Sequence, residues 1–152
     1  MLFFITIAVL LASAQAKFYT DCGSKLGTVQ RVEVGGCAQD AKECILKRNT
    51  NATMNIDFTP CKCHKEYCIM TKVHVVIVGL PVPSPLPQPS GRQPSCKDNR
   101  PSCPLKAGEE FHYKATLPVL KSYPRVKVDV KWELKNEDDE DIVCILVPAK
   151  IN

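Results

Sequence analysis

The strongest constraint on the fold comes from residues 126–134, where apolar and polar residues alternate. Charged residues fill the positions between the apolar ones, which are Val126, Val128, Val130, Trp132 and Leu134. Successive side chains of a β-strand point to opposite faces, so this alternation predicts an antiparallel strand with one buried and one solvated face. No stretch of the chain shows the sustained periodicity of an amphipathic helix.

The same alternation recurs along the chain and predicts about seven short strands. They lie near residues 28–34, 43–48, 53–59, 69–79, 111–119, 125–135 and 141–147, and Gly, Pro, Asn and acidic turns separate them. This number and spacing of strands predicts an all-β, immunoglobulin-like β-sandwich of antiparallel strands. A small closed barrel uses the same alternation and is the alternative. The acidic run at residues 137–141 predicts a solvated hairpin turn.

A proline-rich segment follows one of these strands. The apolar run Val73–Val78 meets Gly79, and proline then recurs at almost every second position up to Pro89. Each proline removes a backbone donor and disfavours a helical turn before it, so we expect a buried strand that continues into a stiff, extended loop. The loop carries Val82 and Leu86, although loops usually present polar residues. We interpret it as one wall of an opening into an apolar interior.

The first sixteen residues resemble a secretory signal peptide. The apolar run Leu2–Ala12 precedes Ala14-Gln15-Ala16, which has the small-x-small pattern of a cleavage site. The run is too short to span a membrane. We therefore expect residues 17–152 to form one secreted domain of about 136 residues, extracellular or in the endosomal–lysosomal lumen. Asn51-Ala52-Thr53 is an N-glycosylation sequon that such a route could use.

Several classes of function find little support in the sequence. The formal net charge is a modest +4, and the basic residues are scattered, which disfavours a nucleic-acid partner. His64, His74 and His112 are not accompanied by a nucleophile elbow such as Gly-x-Ser-x-Gly, so we interpret them as structural or surface residues. The acidic run lacks the spacing of a calcium loop. We expect no enzyme activity and no cofactor.

Nine cysteines in a secreted chain predict disulfide bonds, and an odd number leaves at least one thiol over. A bridge between Cys22 and Cys144 would close about 120 residues and stabilise the fold by roughly 5 kcal/mol in the chain-entropy model. Two other pairs lie seven residues apart and could staple local loops, namely Cys37 with Cys44 and Cys96 with Cys103. Spacing alone does not select among the connectivities.

A series of short motifs is similar to those of the MD-2-related lipid-recognition (ML) domain family. In chain order they are Asp21–Ser24, Gly79–Pro83, Cys103–Leu105, Leu117–Val119, Tyr123–Pro124, Trp132–Leu134 and Ile142–Cys144. The resemblance covers nearly the whole mature chain, and it implies a two-sheet, immunoglobulin-like sandwich with a lipid cavity between the sheets. It also implies the disulfides Cys22–Cys144, Cys37–Cys44 and Cys96–Cys103.

Three further cysteines depart from the family's usual six. Together with His64, the residues Cys61, Cys63 and Cys68 offer four ligands of the zinc type. They are crowded, and an oxidising compartment favours a disulfide, so we expect no metal. We expect Cys68 to pair with Cys61 or Cys63. The remaining thiol could join two otherwise monomeric chains in a disulfide dimer.

The resemblance also implies ligand-binding residues. In the sterol-transfer branch of the family, the cavity mouth is lined by the valine of a Leu-Pro-Val motif, the tyrosine of a Tyr-Pro motif and an aromatic residue of the proline-rich loop. Val119 and Tyr123 take the first two places, with Pro124 fixing the turn, whereas Ser84 stands where the aromatic residue would be. A serine offers less apolar contact and adds a hydroxyl, which suits a fatty acid or another amphipathic ligand.

We also expect the loop residues Val82 and Leu86, together with Phe58 and Trp132, to contact the ligand. An ordinary place in the sandwich core is the competing interpretation for Val119, Tyr123 and especially Trp132. Enclosing about 300 Å² of ligand at about 25 cal/mol per Å² gives roughly 7–8 kcal/mol before the entropy of association is subtracted.

The sequence therefore predicts a secreted lipid-binding and transfer protein that encloses a sterol or similar apolar molecule. We expect delivery to a membrane or receptor, so that a membrane-protein acceptor and peripheral membrane contact are among its partners. One alternative is an innate-immune module that recognises microbial lipids. Others are a carrier of fatty acids or semiochemicals, and a disulfide-framed structural or inhibitory domain without a ligand.

Overall fold

A computed structural model of the chain describes residues 18–61, 70–77, 84–85 and 107–152. These residues form nine strands: β1 (Thr20–Asp21), β2 (Gly27–Val34), β3 (Cys44–Leu46), β4 (Thr50–Pro60), β5 (Met70–Ile77), β6 (Ser84–Pro85), β7 (Phe111–Val119), β8 (Lys127–Lys135) and β9 (Asp141–Ile151). Seven of them correspond to predicted strands, and the two-residue strands β1 and β6 are additional. In this part of the chain there is no helix of the length and apolarity needed to span a membrane.

The strands form two sheets, which confirms the predicted sandwich. The larger sheet has the order β1-β9-β8-β5-β6, and β3 pairs with β9 beyond the end of β1. The smaller sheet has the order β2-β4-β7. The prediction of antiparallel strands throughout was wrong in one place, because β3 runs parallel to β9. This pairing joins distant segments, so local alternation carries no information about its direction.

The alternation of residues 126–134 sets which side of β8 faces the smaller sheet. Val128, Val130, Trp132 and Leu134 are buried, while Lys127 at the start of the strand is exposed. Buried side chains from both sheets meet in one core, whose most enclosed large members include Ile56, Phe58, Leu134, Ile142 and Ile145. The buried face of β8 is therefore the one that the sequence predicts.

One end of the sandwich is tightly closed, and it is called the closed end below. There the rings of Phe58 and Phe111 stack with centroids 6.2 Å apart. The carbonyl of Asp141 accepts hydrogen bonds from the backbone N–H groups of Lys25 and Leu26 at 3.0 and 3.1 Å, which joins the entry to β2 to the start of β9. A Cβ atom on Gly27 would lie 2.9 Å from the carbonyl oxygen of Ile142, so only glycine permits this approach without a shift of the backbone.

Two disulfides act at different places in the sandwich. Cys22 is bonded to Cys144 and fastens the segment after β1 to β9 within the larger sheet. Cys37 is bonded to Cys44, so the segment that leaves β2 of the smaller sheet is held to β3 of the larger one. These are two of the three bridges that the family resemblance implies.

The remaining cysteines concern disulfide pairings that stay predictions. Cys61 has no disulfide partner among the described residues and is partly exposed. Cys63, Cys68, Cys96 and Cys103 lie outside the described residues. The bridges at Cys68 and between Cys96 and Cys103 therefore stay predictions, as does a dimer through a leftover thiol.

Replacing both cysteines of each bridge by alanine should separate their contributions to stability. The Cys22–Cys144 bridge spans 122 residues and the Cys37–Cys44 bridge spans 7. The chain-entropy model therefore predicts losses of about 5 and about 2 kcal/mol in the free energy of unfolding. Urea unfolding of the two double variants measures both values. A larger loss from the short bridge would contradict the expectation.

Glu133 is a charged residue that is 5% exposed, although it lies on the outer face of the larger sheet. Lys131 Nζ donates to its Oε1 at 2.8 Å, Lys135 Nζ lies 3.5 Å from the same oxygen, and His74 Nδ1 lies 3.2 Å from Oε2. Burial alone would raise the pKa of Glu133. The hydrogen bond from Lys131 and the charges of Lys131, Lys135 and His74 outweigh it, so the pKa is lowered.

The lowered pKa gives the Glu133 contribution a defined pH dependence. The carboxylate stabilises the fold fully above the pKa of the unfolded chain, near 4.5, and this contribution is lost as the pH falls through the lower folded-state pKa. Glu133→Gln should reduce the free energy of unfolding at pH 7 by about 1–3 kcal/mol, because it removes the charge of a buried carboxylate that Lys131, Lys135 and His74 surround. The difference from the wild type should shrink below about pH 4.5.

Urea unfolding at neutral and acid pH measures this dependence, with Glu33→Gln as the control. Glu33 makes a surface ion pair with Arg31, and the two side chains are 36% and 63% exposed. Its loss should change the free energy of unfolding by less than about 1 kcal/mol. A Glu133→Gln deficit that is equally large in acid would show that the carboxylate charge is not responsible.

Candidate functional site

An apolar cavity of about 60 Å³ lies between the two sheets, away from the closed end. The smaller sheet and its flanks contribute Val34, Ala52, Thr53, Met54, Leu117, Pro118 and Val119. The larger sheet contributes Cys44, Leu46, Val75, Val128, Val130, Trp132, Val147, Ala149 and Ile151, and the β7–β8 loop contributes Tyr123. None of these side chains carries a charge at neutral pH, so the cavity suits an apolar molecule.

The cavity follows from the size of the inward-facing residues. Two packed sheets lie about 10 Å apart, and side chains from both faces normally fill that space. At the closed end phenylalanine rings do so. Around the cavity eight of the seventeen lining residues are valine or alanine, including Ala52, Val130, Val147 and Ala149. Short side chains on both sheets leave the middle of the sandwich incompletely packed.

A second space of about 230 Å³ lies outside the first. It shares Leu46, Ala52 and Val119 with the cavity, and its other lining residues are Gly35, Gly36, Ile45, Lys47, Thr50 and Asn51. We call this space the outer pocket. Gly36 has a φ of +83°, a conformation that L side chains rarely adopt, so the turn after β2 needs glycine there. The two spaces adjoin at these three shared residues, and this region is called the passage below.

Arg48 holds the mouth of the cavity together. Its Nη1 donates to the carbonyl oxygens of Lys121 and Tyr123 at 3.2 and 3.3 Å. The neighbouring Asn49, at a φ of 64°, donates its N–H to the carbonyl of Val119 at 2.7 Å. The β3–β4 turn is thereby fixed to the end of β7 and to the loop that carries Tyr123. Sequence reasoning missed Arg48, because a basic residue in a turn gives no signal of a distant backbone partner.

Three of the predicted ligand-binding residues line the cavity, namely Val119, Tyr123 and Trp132. Val119 is 6% exposed and Trp132 is 3% exposed, and Tyr123 is partly buried in the loop between β7 and β8. Burial raises the pKa of the Tyr123 phenol, so this side chain is neutral at physiological pH. Both sheets and the loop thus converge on one space.

The other predicted ligand-binding residues lie elsewhere or are not described. Phe58 is fully buried against Phe111 at the closed end and is not among the residues that line the cavity. Pro124 follows Tyr123 and does not line the cavity either. The backbone of Ser84 pairs with Val75 at the edge of the larger sheet. The side chain of Ser84 and the whole of Val82 and Leu86 lie outside the described residues, as does most of the proline-rich loop.

The indole N–H of Trp132 is a buried donor in the core of the sandwich. Its Nε1 has no hydrogen-bond acceptor among the residues that the structure describes. The ring packs edge-on against Tyr113, with centroids 6.2 Å apart and an interplanar angle of 68°. Aromatic side chains with a polar atom usually find a partner for it when they are buried. Sequence alternation placed Trp132 on the inner face but gave no sign of this unpaired donor.

The described histidines lie on outer faces, as the sequence suggested. His112 Nδ1 lies 2.7 Å from Asp57 Oδ1, and this hydrogen bond raises the pKa of His112. Glu110 brings a third potential metal ligand within 4.8 Å of these two. These three residues are largely exposed, and the Asp57 carboxylate is already hydrogen-bonded to the imidazole of His112. Arg31 is the cross-strand neighbour of Asp57. This arrangement is that of a surface ion pair.

The sequon asparagine Asn51 is exposed, as glycosylation requires. It lies within β4, directly after the first residue of the strand. It also lines the outer pocket. Glycosylation at Asn51 stays a prediction.

Comparison with known proteins gives the same family over almost the whole chain. The ML domain family matches residues 16–151. The chain is 60% identical over 152 residues to the "Ecdysteroid-regulated 16 kDa protein" of Manduca sexta, covering 100% of both chains. It is 44% identical over 147 residues to "NPC intracellular cholesterol transporter 2 homolog a" of Drosophila melanogaster, covering 97% of this chain and 95% of that one.

A solved structure supports the same grouping. The fold is similar to that of a Niemann-Pick type C2 protein from the Japanese carpenter ant, with a TM-score of 0.73 and 32% sequence identity. The match covers 88% of this chain and 98% of the ant protein. The two-sheet fold and the motif order agree with these comparisons. The chain belongs to the ML domain family and is similar, within it, to Niemann-Pick type C2 proteins.

Proposed function

We propose that the protein binds a sterol or similar apolar lipid between its two sheets and carries it to an acceptor. The observation that supports this most is the uncharged cavity, which both sheets line and which meets the outer pocket at Leu46, Ala52 and Val119. The name of the Drosophila relative describes a cholesterol transporter. Binding and release need no covalent chemistry, so we propose that they are the whole activity.

The size of the cavity implies that the sheets separate when a lipid enters. Sites for small molecules typically enclose about 300–1,000 Å³, whereas this cavity measures about 60 Å³. The β-ladder hydrogen bonds lie within each sheet, so moving the sheets apart leaves those ladders intact. The apolar contacts that are lost between the sheets are replaced by contacts with the lipid.

The two ends of the sandwich would play different parts in this opening. The hydrogen bonds from Lys25 and Leu26 to Asp141 and the close approach of Gly27 to Ile142 hold the closed end. The other end is lined by smaller side chains and can widen. The Cys37–Cys44 bridge limits how far it widens, because it joins segments from both sheets. We therefore propose a hinge-like opening at the outer pocket.

Exposed apolar residues near the mouth support a transfer step. Ile45 is 46% exposed and lines the outer pocket, and Leu120, directly after Val119, is 39% exposed. Lys47 and Lys121 are exposed beside them. Apolar side chains next to lysines suit contact with an anionic membrane surface. We propose that this end contacts the donor or acceptor membrane, or a membrane-protein acceptor.

We propose that Val119 and Tyr123 contact the lipid at the mouth. We also propose that the opposite wall contains Ser84 and the loop residues Val82 and Leu86. Ser84 would affect which lipid binds best, because a serine gives a sterol less apolar contact than an aromatic residue would. The two disulfides fit an oxidising compartment and support the proposed secretion. We also propose that a single mature domain follows a signal peptide.

Filling the passage should block lipid binding without unfolding the protein. Ala52 lines both the cavity and the outer pocket, so the larger side chain of Ala52→Leu would occupy the space where they meet. We expect the affinity for a fluorescent sterol or fatty-acid probe to fall about tenfold or more, equivalent to roughly two lost methylene contacts. Probe titration measures this change.

Ala115→Leu is the matched control, since Ala115 pairs with Met54 in the same sheet and is partly buried but lines neither space. It should bind the probe within about twofold of the wild type once thermal unfolding shows that both variants are folded. Wild-type affinity in Ala52→Leu would contradict binding through this passage.

A further inference from the structure

One polar contact joins the facing sides of the two sheets. The hydroxyl of Thr71 on β5 lies 2.9 Å from the hydroxyl of Tyr113 on β7, so the two side chains are hydrogen-bonded. β5 belongs to the larger sheet and β7 to the smaller one. Among the described residues, this is the only hydrogen bond between side chains that joins a strand of one sheet to a strand of the other. We call it the cross-sheet bond below.

On the smaller sheet, the cross-sheet bond lies just beyond the inner end of the cavity. Ala52 and Met54 of β4 line the cavity, whereas the next inward-facing residue, Ile56, does not. Tyr113 pairs with Ile56 and does not line the cavity either. At about 3.3 Å per residue, Tyr113 lies roughly 20 Å along β7 from Val119 at the mouth.

Thr71 occupies the corresponding place on the larger sheet. It pairs with Leu134 of β8, which is fully buried and does not line the cavity. Trp132, two residues before Leu134 on the same face of β8, is the last residue of that strand that does line it. The ring of Tyr113 packs edge-on against the ring of Trp132, with centroids 6.2 Å apart. Tyr113 therefore lies directly behind the inner end of the cavity wall.

An apolar lipid can replace most of the contacts between the sheets, but it cannot replace the cross-sheet bond. Where apolar side chains part, the hydrocarbon of a lipid tail takes up the lost contacts. A hydrocarbon tail has no donor or acceptor for the two hydroxyls, and Tyr113 is only 4% exposed to water. A hydrogen bond also weakens steeply as its atoms move apart. Opening the sandwich beyond this bond therefore costs free energy that contacts with an apolar ligand do not offset.

We propose that the cross-sheet bond sets how deeply the sheets part, and so limits the length of lipid that the protein encloses. The buried part of the ligand is then at most about 20 Å long. The surplus of a longer tail stays outside the mouth. This rests on the proposed function, since it requires a lipid between the sheets. Thr71 and Tyr113 act as positioning residues, which fix the inner boundary against which the length of the ligand is selected.

Two graded series of lipids test this limit on the wild-type mature protein. One series contains the saturated fatty acids dodecanoate, hexadecanoate, eicosanoate and tetracosanoate. The other contains androstenol, which lacks a side chain, cholesterol, and a cholesterol whose side chain is lengthened by a butyl group. Competition against a fluorescent lipid probe measures each affinity, and lengths are compared within whichever series binds. The affinity should rise by up to about fourfold per added methylene and level off once the tail reaches Tyr113.

Tyr113→Phe and Thr71→Val each remove one hydroxyl of the cross-sheet bond and keep most of the side-chain volume. In both variants the affinity should continue to rise with length, so that the longest member binds about fivefold to tenfold more tightly than to the wild type. The shortest member should bind within about twofold of the wild type. The double variant should give no further gain, because either substitution alone breaks the bond. A general loss of stability would not favour long lipids over short ones.

Thr116→Val is the matched control, because the Thr116 hydroxyl lies 3.4 Å from that of Thr53 within the smaller sheet. Thermal unfolding first shows that each variant is folded, and the control should keep the length dependence of the wild type. The same length dependence in the wild type, Tyr113→Phe and Thr71→Val would overturn the inference, and so would a change in only one of the two variants. In those outcomes lipids still bind, and the proposed function stands. If no member of either series binds, the proposed function fails and the inference fails with it.

Discussion

The structure depends on apolar packing between two sheets that are each internally hydrogen-bonded. The ladders of β2-β4-β7 and of the larger sheet satisfy the backbone within each sheet, so the contact between the sheets is chiefly between side chains. Where those side chains are large, as at Phe58 and Phe111, the sandwich is closed. Where many of them are valine or alanine, a cavity remains. A lipid can replace side-chain contacts far more easily than it could replace backbone hydrogen bonds.

Because the sheets meet chiefly through side chains, the two disulfides have distinct roles. The Cys22–Cys144 bridge stays within the larger sheet and restricts the unfolded chain, so its main effect is on stability. The Cys37–Cys44 bridge and the contacts of Arg48 lie where the sheets would part. In the proposed opening they would keep the mouth residues in place while the cavity widens. Stability and the proposed ligand access thus depend on different positions of the sandwich.

Much of the fold could be predicted from the sequence, because strand alternation is a local property. The strands around Val128–Leu134 and Met54–Phe58 appear where the pattern places them. The parallel pairing of β3 could not be predicted, since it depends on a contact between distant segments. The burial of Glu133 was hidden for a similar reason: its cations come partly from a neighbouring strand.

The candidate site could also be predicted only in part. Motif order led to Val119, Tyr123 and Trp132, which line one cavity, whereas Phe58, which was also expected to contact the ligand, fills the closed end. A residue on the inner face of a sheet can face either the gap or the packed core, and alternation does not distinguish them. Arg48 and the unpaired Nε1 of Trp132 emerged only from three-dimensional contacts.

Native mass spectrometry of the protein purified from its own tissue tests most directly whether the sandwich encloses a lipid. We expect one sterol, fatty acid or related lipid per chain, retained under gentle ionisation and released on unfolding. A protein that arrives empty and takes up no sterol or fatty acid when offered them would contradict lipid carriage.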